Sequence, residues 1–170
     1  MKIMYLHGLE GSATKGAKAV YCKNQFGAVA PQMPATLKRL LKDKKECISE
    51  CLQIAIDAVN KHQPELIIGS SFGGGITMGL LQGGHYKGDA ILLAPAGVKY
   101  GLSPLLPTES KIVIIHDQTD EIVPFEDSLK IVRENTMNGG ASVELVQTTG
   151  GHKLHNITKN GLLMEVVSQF

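Results

Sequence analysis

An apolar strand that leads directly into a glycine-flanked serine restricts the fold of this chain more than any other feature. Residues 66–75 are Leu-Ile-Ile-Gly-Ser-Ser-Phe-Gly-Gly-Gly, which contain the segment Gly69-Ser70-Ser71-Phe72-Gly73. In this Gly-x-Ser-x-Gly pattern a serine is exposed on a strained turn between a strand and a helix. The glycines on either side allow that backbone and the close approach of neighbouring segments. The pattern therefore predicts a strand, a turn at Ser71 and a helix.

Ser71 is the candidate nucleophile. A serine hydroxyl is a weak nucleophile unless a base reaches it, an acid orients the base and N–H groups stabilise the oxyanion that forms. We expect the backbone N–H groups of Phe72, directly after the serine, and of Leu9, after the first strand, to form the oxyanion hole. The turn at His7-Gly8 would present the N–H of Leu9.

The composition excludes several classes of function. The 170 residues predict one domain over residues 1–170, with an ordinary globular balance of 43% hydrophobic and 19% charged residues. Seventeen basic and sixteen acidic residues give a net charge of +1 without a basic block, so we expect no nucleic-acid partner. No apolar stretch predicts a membrane span, and the first apolar run is too short for a secretory signal. Three cysteines, an odd number, favour reduced thiols in a cytoplasmic protein, with a metal site or a disulfide as the alternatives.

Strand and helix signals alternate along the chain, which predicts an α/β domain of about six mostly parallel strands flanked by helices. Several strands are continuous apolar runs, as in strands buried on both faces. Asp43, with Glu46 three residues later, predicts the start of a long helix. The predicted strands are 2–6, 28–30, 65–69, 88–94, 111–115 and 142–147, and the predicted helices are 13–25, 43–61, 73–82, 125–137 and 156–170.

The acid and the base are expected in loops at the carboxyl ends of later strands, in the order serine, acid, histidine. Asp120 is the predicted acid because Asp-x-x-Val-Pro follows the strand at the usual offset, and Asp117 is the alternative. His152 is the predicted base because Gly150-Gly151 allow its loop to fold back over the strand ends. We interpret His116 as a structural or surface residue.

Three other interpretations compete with a serine hydrolase. His152 and His155 could form a metal pair, but no carboxylate or cysteine close in sequence completes the set of ligands. Gly73-Gly74-Gly75 could belong to a dinucleotide site, but Met78 stands where Gly-x-Gly-x-x-Gly needs its last glycine. A module of this kind could also bind a ligand or a partner without catalysis. We expect neither a metal nor a cofactor.

Several motifs carry a resemblance that covers nearly the whole chain. They are Tyr5-Leu6-His7-Gly8, Lys18-Ala19, Pro31-Gln32-Met33-Pro34, Gly69-Ser70-Ser71-Phe72-Gly73-Gly74, Pro95-Ala96, Gln118-Thr119-Asp120-Glu121 and Gly150-Gly151-His152. Together they resemble the α/β-hydrolase superfamily, and more narrowly the small bacterial esterases of the YqiA/YcfP type. The resemblance implies an α/β-hydrolase fold and a serine esterase with Ser71, Asp120 and His152 as its catalytic triad. The chain departs from the family pattern at Thr119, where the family has a glycine before the acid.

The connection between the strand that ends at Ala94 and the strand that begins at Lys111 is short. Its 16 residues contain three prolines and two glycines, so no cap domain is predicted and the serine should lie in a shallow cleft. A shallow cleft favours a small-molecule ester with a short acyl group, or an ester on a large carrier. An acyl thioesterase would use the same triad. The predicted walls of the cleft are Leu9, Phe72, Leu102, Leu105, Leu106 and Ile122.

Overall fold

The computed structural model describes residues 1–170 and is built around five parallel strands, which lie in the sheet in the order β1-β2-β3-β4-β5. The strands are β1 (Ile3–Leu6), β2 (Leu66–Ser70), β3 (Asp89–Leu93), β4 (Lys111–Asp117) and β5 (Ser142–Thr148). The helices are α1 (Ala17–Phe26), α2 (Leu37–Lys42), α3 (Lys44–His62), α4 (Phe72–Gln82), α5 (Phe125–Asn138) and α6 (Leu162–Val167), with one 3-10 turn at Val98–Tyr100. The expected parallel sheet flanked by helices is confirmed.

Helices cover both faces of the sheet. Ile67 of β2 and Ile114 of β4 belong to the apolar layer that also contains residues of α3 and α4. Ile68 and Ile115, one position further along the same strands, belong to the opposite layer with residues of α1 and α6. Successive side chains of a strand point to opposite faces. Burial on both faces therefore explains why these strands are continuous apolar runs.

The strand predicted at 28–30 is reduced to a single bridge. Val29 pairs in parallel with Met4 at the edge of β1. Its N–H donates to the carbonyl of Ile3 at 3.0 Å, and its carbonyl accepts from the N–H of Tyr5 at 2.8 Å. The next residue that would pair with β1 on this side is Pro31, which has no N–H to donate. The sheet therefore has five strands and one bridge.

The start of α3 confirms the prediction from Asp43. The Asp43 carboxylate accepts a hydrogen bond from the N–H of Glu46 at 2.9 Å and so caps the helix. The short helix α2, which was not predicted, ends directly before it. Thr36 caps α2 by accepting from the N–H of Arg39 at 3.2 Å. A six-residue helix is too short for a periodic apolar pattern to reveal it.

Two predicted helices are shorter in the structure. The first was expected over 13–25 but begins at Ala17, after Gly16. The last was expected over 156–170 but covers only Leu162–Val167, after Gly161 at φ 83°. Consecutive turns occupy the residues between β5 and this helix. His152 lies among these turns.

The connection between β3 and β4 contains one 3-10 turn and no helical cap, as predicted. This connection therefore places no helix over the carboxyl ends of the strands. No helix has the combination of length and hydrophobicity that a membrane crossing requires.

Candidate active site

Ser71 lies on the turn between β2 and α4, and its backbone is strained. Its φ of 52° and ψ of −112° lie outside the regions that residues with a side chain normally occupy. Backbone hydrogen bonds hold this conformation, because the N–H of Ser71 donates to Leu93 at 2.8 Å and its carbonyl accepts from Ala96 at 3.0 Å. This is the strand, turn and helix that the sequence motif predicts.

The two glycines of the motif are required by close packing. A Cβ on Gly73 would lie 2.2 Å from the carbonyl oxygen of Leu6, at the end of β1. A Cβ on Gly69 would lie 2.3 Å from Oγ1 of Thr77 and 2.7 Å from the carbonyl oxygen of Gly73. Both separations are far below van der Waals contact. Only glycine at these positions allows α4 to begin directly against the sheet.

The following glycines also serve packing. A Cβ on Gly74 would lie 3.0 Å from Cα of Pro95, and one on Gly75 would lie 3.2 Å from Cα of Gly97. This close contact with the segment after β3 explains the glycine run by packing. Met78 still stands where a dinucleotide motif would need its last glycine.

Ser71, His152 and Asp120 lie in one chain of hydrogen bonds. His152 Nε2 is 2.8 Å from Ser71 Oγ, and His152 Nδ1 is 2.7 Å from Asp120 Oδ2. The three residues follow β2, β5 and β4 respectively, so all of them lie at the carboxyl edge of the sheet. An ionised carboxylate only accepts hydrogen bonds, so the proton on His152 faces Asp120. The other ring nitrogen of His152 can then accept the proton of Ser71.

Every oxygen of the Asp120 carboxylate has a partner, and the side chain is 0% exposed. Oδ1 accepts from the N–H groups of Ile122 at 2.8 Å and Val123 at 2.9 Å. Burial acts to raise the pKa of Asp120, but the hydrogen bonds from His152, Val123 and Ile122 outweigh it, so the pKa lies below its ordinary value. Asp120 is therefore negatively charged at neutral pH.

The alternative acid, Asp117, is hydrogen-bonded to other groups. Its Oδ1 accepts from the N–H of Thr119 at 2.8 Å and from the Thr119 hydroxyl at 2.9 Å. Its Oδ2 accepts from the N–H of Gly151 at 2.6 Å. The N–H groups of Thr119 and Gly151 lower the pKa of Asp117. Asp117 thus connects the acid loop to the loop that carries His152, and Thr119 takes part in that connection where the family pattern has a glycine.

Of the two predicted oxyanion donors, Phe72 follows Ser71 directly, and Leu9 follows Gly8, which packs against Ser71. Phe72 is the first residue of α4, so no carbonyl within the helix can accept its N–H. The N–H of Leu9 donates to no acceptor in the protein. Gly8 brings this loop against the nucleophile, since a Cβ there would lie 3.3 Å from the Cβ of Ser71. Both N–H groups are available to a ligand oxygen.

His7 fixes the loop that carries Leu9. Its ring is buried, Nδ1 donates to the carbonyl of Gly8 at 2.8 Å, and Nε2 accepts from the N–H of Met33 at 2.9 Å. Burial lowers the pKa of His7 despite the hydrogen bond to Gly8. The neutral ring therefore holds the predicted turn against the segment that follows the Val29 bridge.

His116 is the part of the site that sequence reasoning missed. Its Nε2 is 2.9 Å from Asp120 Oδ2, its Nδ1 is 2.7 Å from Oγ of Ser128, and its side chain is 0% exposed. The predicted strand ended at residue 115, whereas β4 continues to Asp117 and includes His116. His116 stands four residues before the acid in the sequence, but this spacing alone does not show which group its ring contacts.

The histidine pair suggested for a metal is not assembled. Both ring nitrogens of His152 are hydrogen-bonded within the protein, and His155 is exposed. No group of three or more His, Cys, Asp or Glu side chains is arranged to hold a metal ion. The three cysteines are free and buried.

A small apolar cavity of about 20 Å³ lies beside the start of α4. The rings of Phe72 and Tyr100 meet edge to face there, with centroids 6.0 Å apart. Among the predicted cleft walls, Phe72 and Leu102 line this cavity, whereas Leu106 is buried in the core. Leu105 and Ile122 are exposed. The full lining is Ile48, Phe72, Gly75, Ile76, Gly97, Tyr100 and Leu102.

The parallel sheet with its strained serine turn defines the α/β-hydrolase fold, and solved structures share it. A protein of Agrobacterium vitis S4 is similar over 99% of this chain and 87% of its own, at 16% identity and a TM-score of 0.75. Mouse alpha/beta hydrolase domain-containing protein 10 is similar over 99% and 88%, at 15% identity and a TM-score of 0.74. A Bacillus cereus carboxylesterase is similar over 97% and 87%, at 16% identity and a TM-score of 0.62.

The family is shown by a match over more than half of the chain. The family model described as "Uncharacterised protein family (UPF0227)" matches residues 2–102, and the chain belongs to this family. This is the YqiA-type family that the sequence motifs resemble. No curated protein sequence matches the chain.

Proposed function

We propose that this protein is a serine hydrolase that cleaves carboxylic esters through an acyl-enzyme intermediate. The observation that carries the proposal is the hydrogen-bonded series from Ser71 through His152 to Asp120, with separations of 2.8 and 2.7 Å. His152 accepts the proton of Ser71 as the serine oxygen attacks the ester carbonyl. It then gives this proton to the departing alkoxide. Asp120 orients the imidazole and stabilises its positive charge.

The negative charge on the carbonyl oxygen needs donors at the moment it forms. In this proposal the N–H groups of Phe72 and Leu9 supply them. Phe72 follows Ser71 directly, Leu9 follows Gly8, which packs against Ser71, and neither N–H is used by an acceptor within the protein. The N-terminal end of α4 adds the positive end of its dipole at the same place. In the second half of the reaction a water molecule attacks the acyl-enzyme, and His152 acts again as the base.

The proposed substrate class rests on the small cavity next to Phe72, the residue that follows Ser71 in the chain. The apolar cavity of about 20 Å³ next to Phe72 fits only a small part of an acyl chain. No helical cap encloses the alcohol side of the ester. We therefore propose esters of short acids, on small or large alcohols, as substrates. A thioester of the same acid could be cleaved by the same triad. A comparison of p-nitrophenyl esters with coenzyme A thioesters separates the two activities.

The proposal is tested by fluorophosphonate labelling and by hydrolysis of p-nitrophenyl butyrate. The variants are Ser71→Ala and His152→Ala, with His155→Ala as a matched control because that histidine is exposed three residues away. We expect labelling of the wild type and of His155→Ala, and none of Ser71→Ala. The kcat of Ser71→Ala and of His152→Ala should fall by roughly 10⁴-fold or more.

Full turnover by a clean preparation of Ser71→Ala would remove the serine mechanism. A folded wild type that neither reacts with the probe nor hydrolyses any ester would instead favour a module that binds a ligand or a partner. Circular dichroism of each variant shows that the fold is retained.

A further inference from the structure

Two histidines, rather than one, contact the acid of this site. Asp120 Oδ2 is 2.7 Å from Nδ1 of His152 and 2.9 Å from Nε2 of His116. The far nitrogen of His116, Nδ1, is 2.7 Å from Oγ of Ser128 on α5. His116 and Ser128 are both 0% exposed, so neither can meet a substrate. The result is a continuous series of hydrogen bonds from Ser128 to Ser71.

The charge of Asp120 determines where each proton in this series lies. Because an ionised carboxylate only accepts, the His116 and His152 nitrogens that face it both carry a proton. Burial lowers the pKa of His116, although its hydrogen bond to Asp120 acts in the opposite direction, so the ring is neutral at pH 7. Nδ1 of His116 is then without a proton. The Ser128 hydroxyl must therefore be the donor to it.

We propose that His116, held in one tautomer by Ser128, is a positioning residue that shares the Asp120 carboxylate with the base. This inference rests on the proposed function, because it concerns how the base behaves during ester cleavage. A hydrogen bond from His116 takes up part of the negative charge of Oδ2, so less of it stabilises a protonated His152. The protonated base is then stabilised less, so it releases its proton more readily to the leaving group.

Apart from His152, the other charged groups near His116 and Asp120 form no hydrogen bond to either of these two side chains. Asp117 lies at the end of β4, and its carboxylate is occupied by Thr119 and Gly151. Asp127 of α5 is near enough to His116, Lys99 and Lys130 for these basic side chains to act against the rise that burial causes in its pKa. The Phe125 ring packs on His116 at a centroid distance of 5.4 Å. Changes at His116 and Ser128 therefore act on the shared carboxylate more than on these neighbours.

Three variants separate the hydrogen bond from the packing of the ring. His116→Gln keeps an N–H donor near the position of Nε2, and His116→Leu removes the donor but fills similar space. Ser128→Ala removes only the hydroxyl that fixes the tautomer. The measurements are the pH dependence of kcat/KM for p-nitrophenyl butyrate and the pH dependence of the fluorophosphonate labelling rate.

We expect His116→Leu to move the acidic midpoint of both profiles to higher pH by roughly half to one unit. On the acidic limb, below both midpoints, the rate of this variant normalised to its own plateau would then be roughly three- to tenfold lower than that of the wild type. His116→Gln should keep the midpoint of the wild type, and Ser128→Ala should show a smaller shift in the same direction as His116→Leu.

Midpoints that are unchanged in both His116→Leu and Ser128→Ala would overturn the inference, and so would an equal shift in His116→Gln and His116→Leu. If His116→Leu does not fold, a shift in Ser128→Ala that is absent from His116→Gln supports the inference, and no shift overturns it. These results require a wild type that is labelled at Ser71. An unlabelled wild type is a different result, because it contradicts the proposed function itself.

Discussion

Asp117 at the end of β4 and Asp120 in the loop that follows lie three residues apart, yet their carboxylates contact different partners. Asp120 reaches Nδ1 of His152 at 2.7 Å, and Asp117 accepts from the N–H of Gly151 at 2.6 Å. The first therefore orients the proposed base, and the second fixes the loop that carries this base. Removing the charge from each should have different consequences.

We predict that Asp120→Asn lowers kcat by roughly 10⁴-fold, because the amide favours the wrong imidazole tautomer and leaves the protonated ring without a negative partner. Asp117→Asn should lower kcat by about tenfold or less, since the carboxamide oxygen can still accept one of the hydrogen bonds. Both values come from steady-state kinetics with p-nitrophenyl butyrate, with the Tm of each variant as the control for folding. The reverse order of the two effects would assign the acid to Asp117.

The sequence marks some residues of the site and not others. Ser71 and His152 were predictable as candidates because the turns that present them need glycines within two residues of them. His116 was not predictable as part of the site, because its role depends on Ser128 of α5 and on the buried carboxylate of Asp120. A histidine at the end of an apolar strand has the same local sequence whether its partner is water or an acid.

At the scale of elements, α4 offers a direct test of why the motif glycines are needed. A methyl group on Gly73 would lie 2.2 Å from the Leu6 carbonyl, whereas one on Gly79 would meet only Cδ1 of Leu52 at 3.5 Å. We predict that Gly73→Ala destabilises the protein by about 3 kcal/mol or more, because α4 must move away from β1. Gly79→Ala should stabilise it by about 0.5–1 kcal/mol, since alanine favours a helix interior.

Urea unfolding of both variants measures these opposite effects within one helix. If Gly73→Ala unfolds at the same urea concentration as the wild type, close packing is not the reason for the glycine. A Gly79→Ala variant that is also strongly destabilised would show that the contact with Leu52 outweighs the gain in helix propensity.

Elements were predicted well where local chemistry decides their ends. The Asp43 cap marks the start of α3 in the sequence, and it caps that helix in the structure. The Val29 bridge and the short α6 are different cases. The pairing at Val29 stops because Pro31 has no N–H to donate to β1, and α6 begins only after the turns that contain His152. Such tertiary requirements leave no periodic signal in the sequence.

At the scale of the whole molecule, acid should lower stability in two stages. Burial lowers the pKa of His7 and of His116, so below the ordinary value of 6.5 the unfolded chain binds protons that the folded chain does not. Asp117 and Asp120 also have lowered pKa values, so the unfolded chain takes up their protons first below 3.8. The free energy of unfolding therefore decreases as pH falls through each range.

Urea unfolding between pH 7.5 and 3 would measure the first stage and the onset of the second. His116→Gln should make the first stage shallower and leave the second unchanged, because glutamine does not titrate. A first stage with the same slope in wild type and variant would contradict a buried neutral His116.

The absence of a cap and the size of the cavity together predict the acyl chain length of the ester that the protein should hydrolyse most efficiently. We expect kcat/KM for p-nitrophenyl esters to be highest at roughly two to six carbons, because longer chains leave the cavity and gain little of the ~0.8 kcal/mol per buried methylene. Leu102→Ala should move the optimum to longer chains, since Leu102 lines the cavity. Leu105→Ala is the matched control, because Leu105 is exposed and does not line it. An optimum at ten carbons or more in the wild type, or an equal change in both variants, would show that the acyl group binds elsewhere.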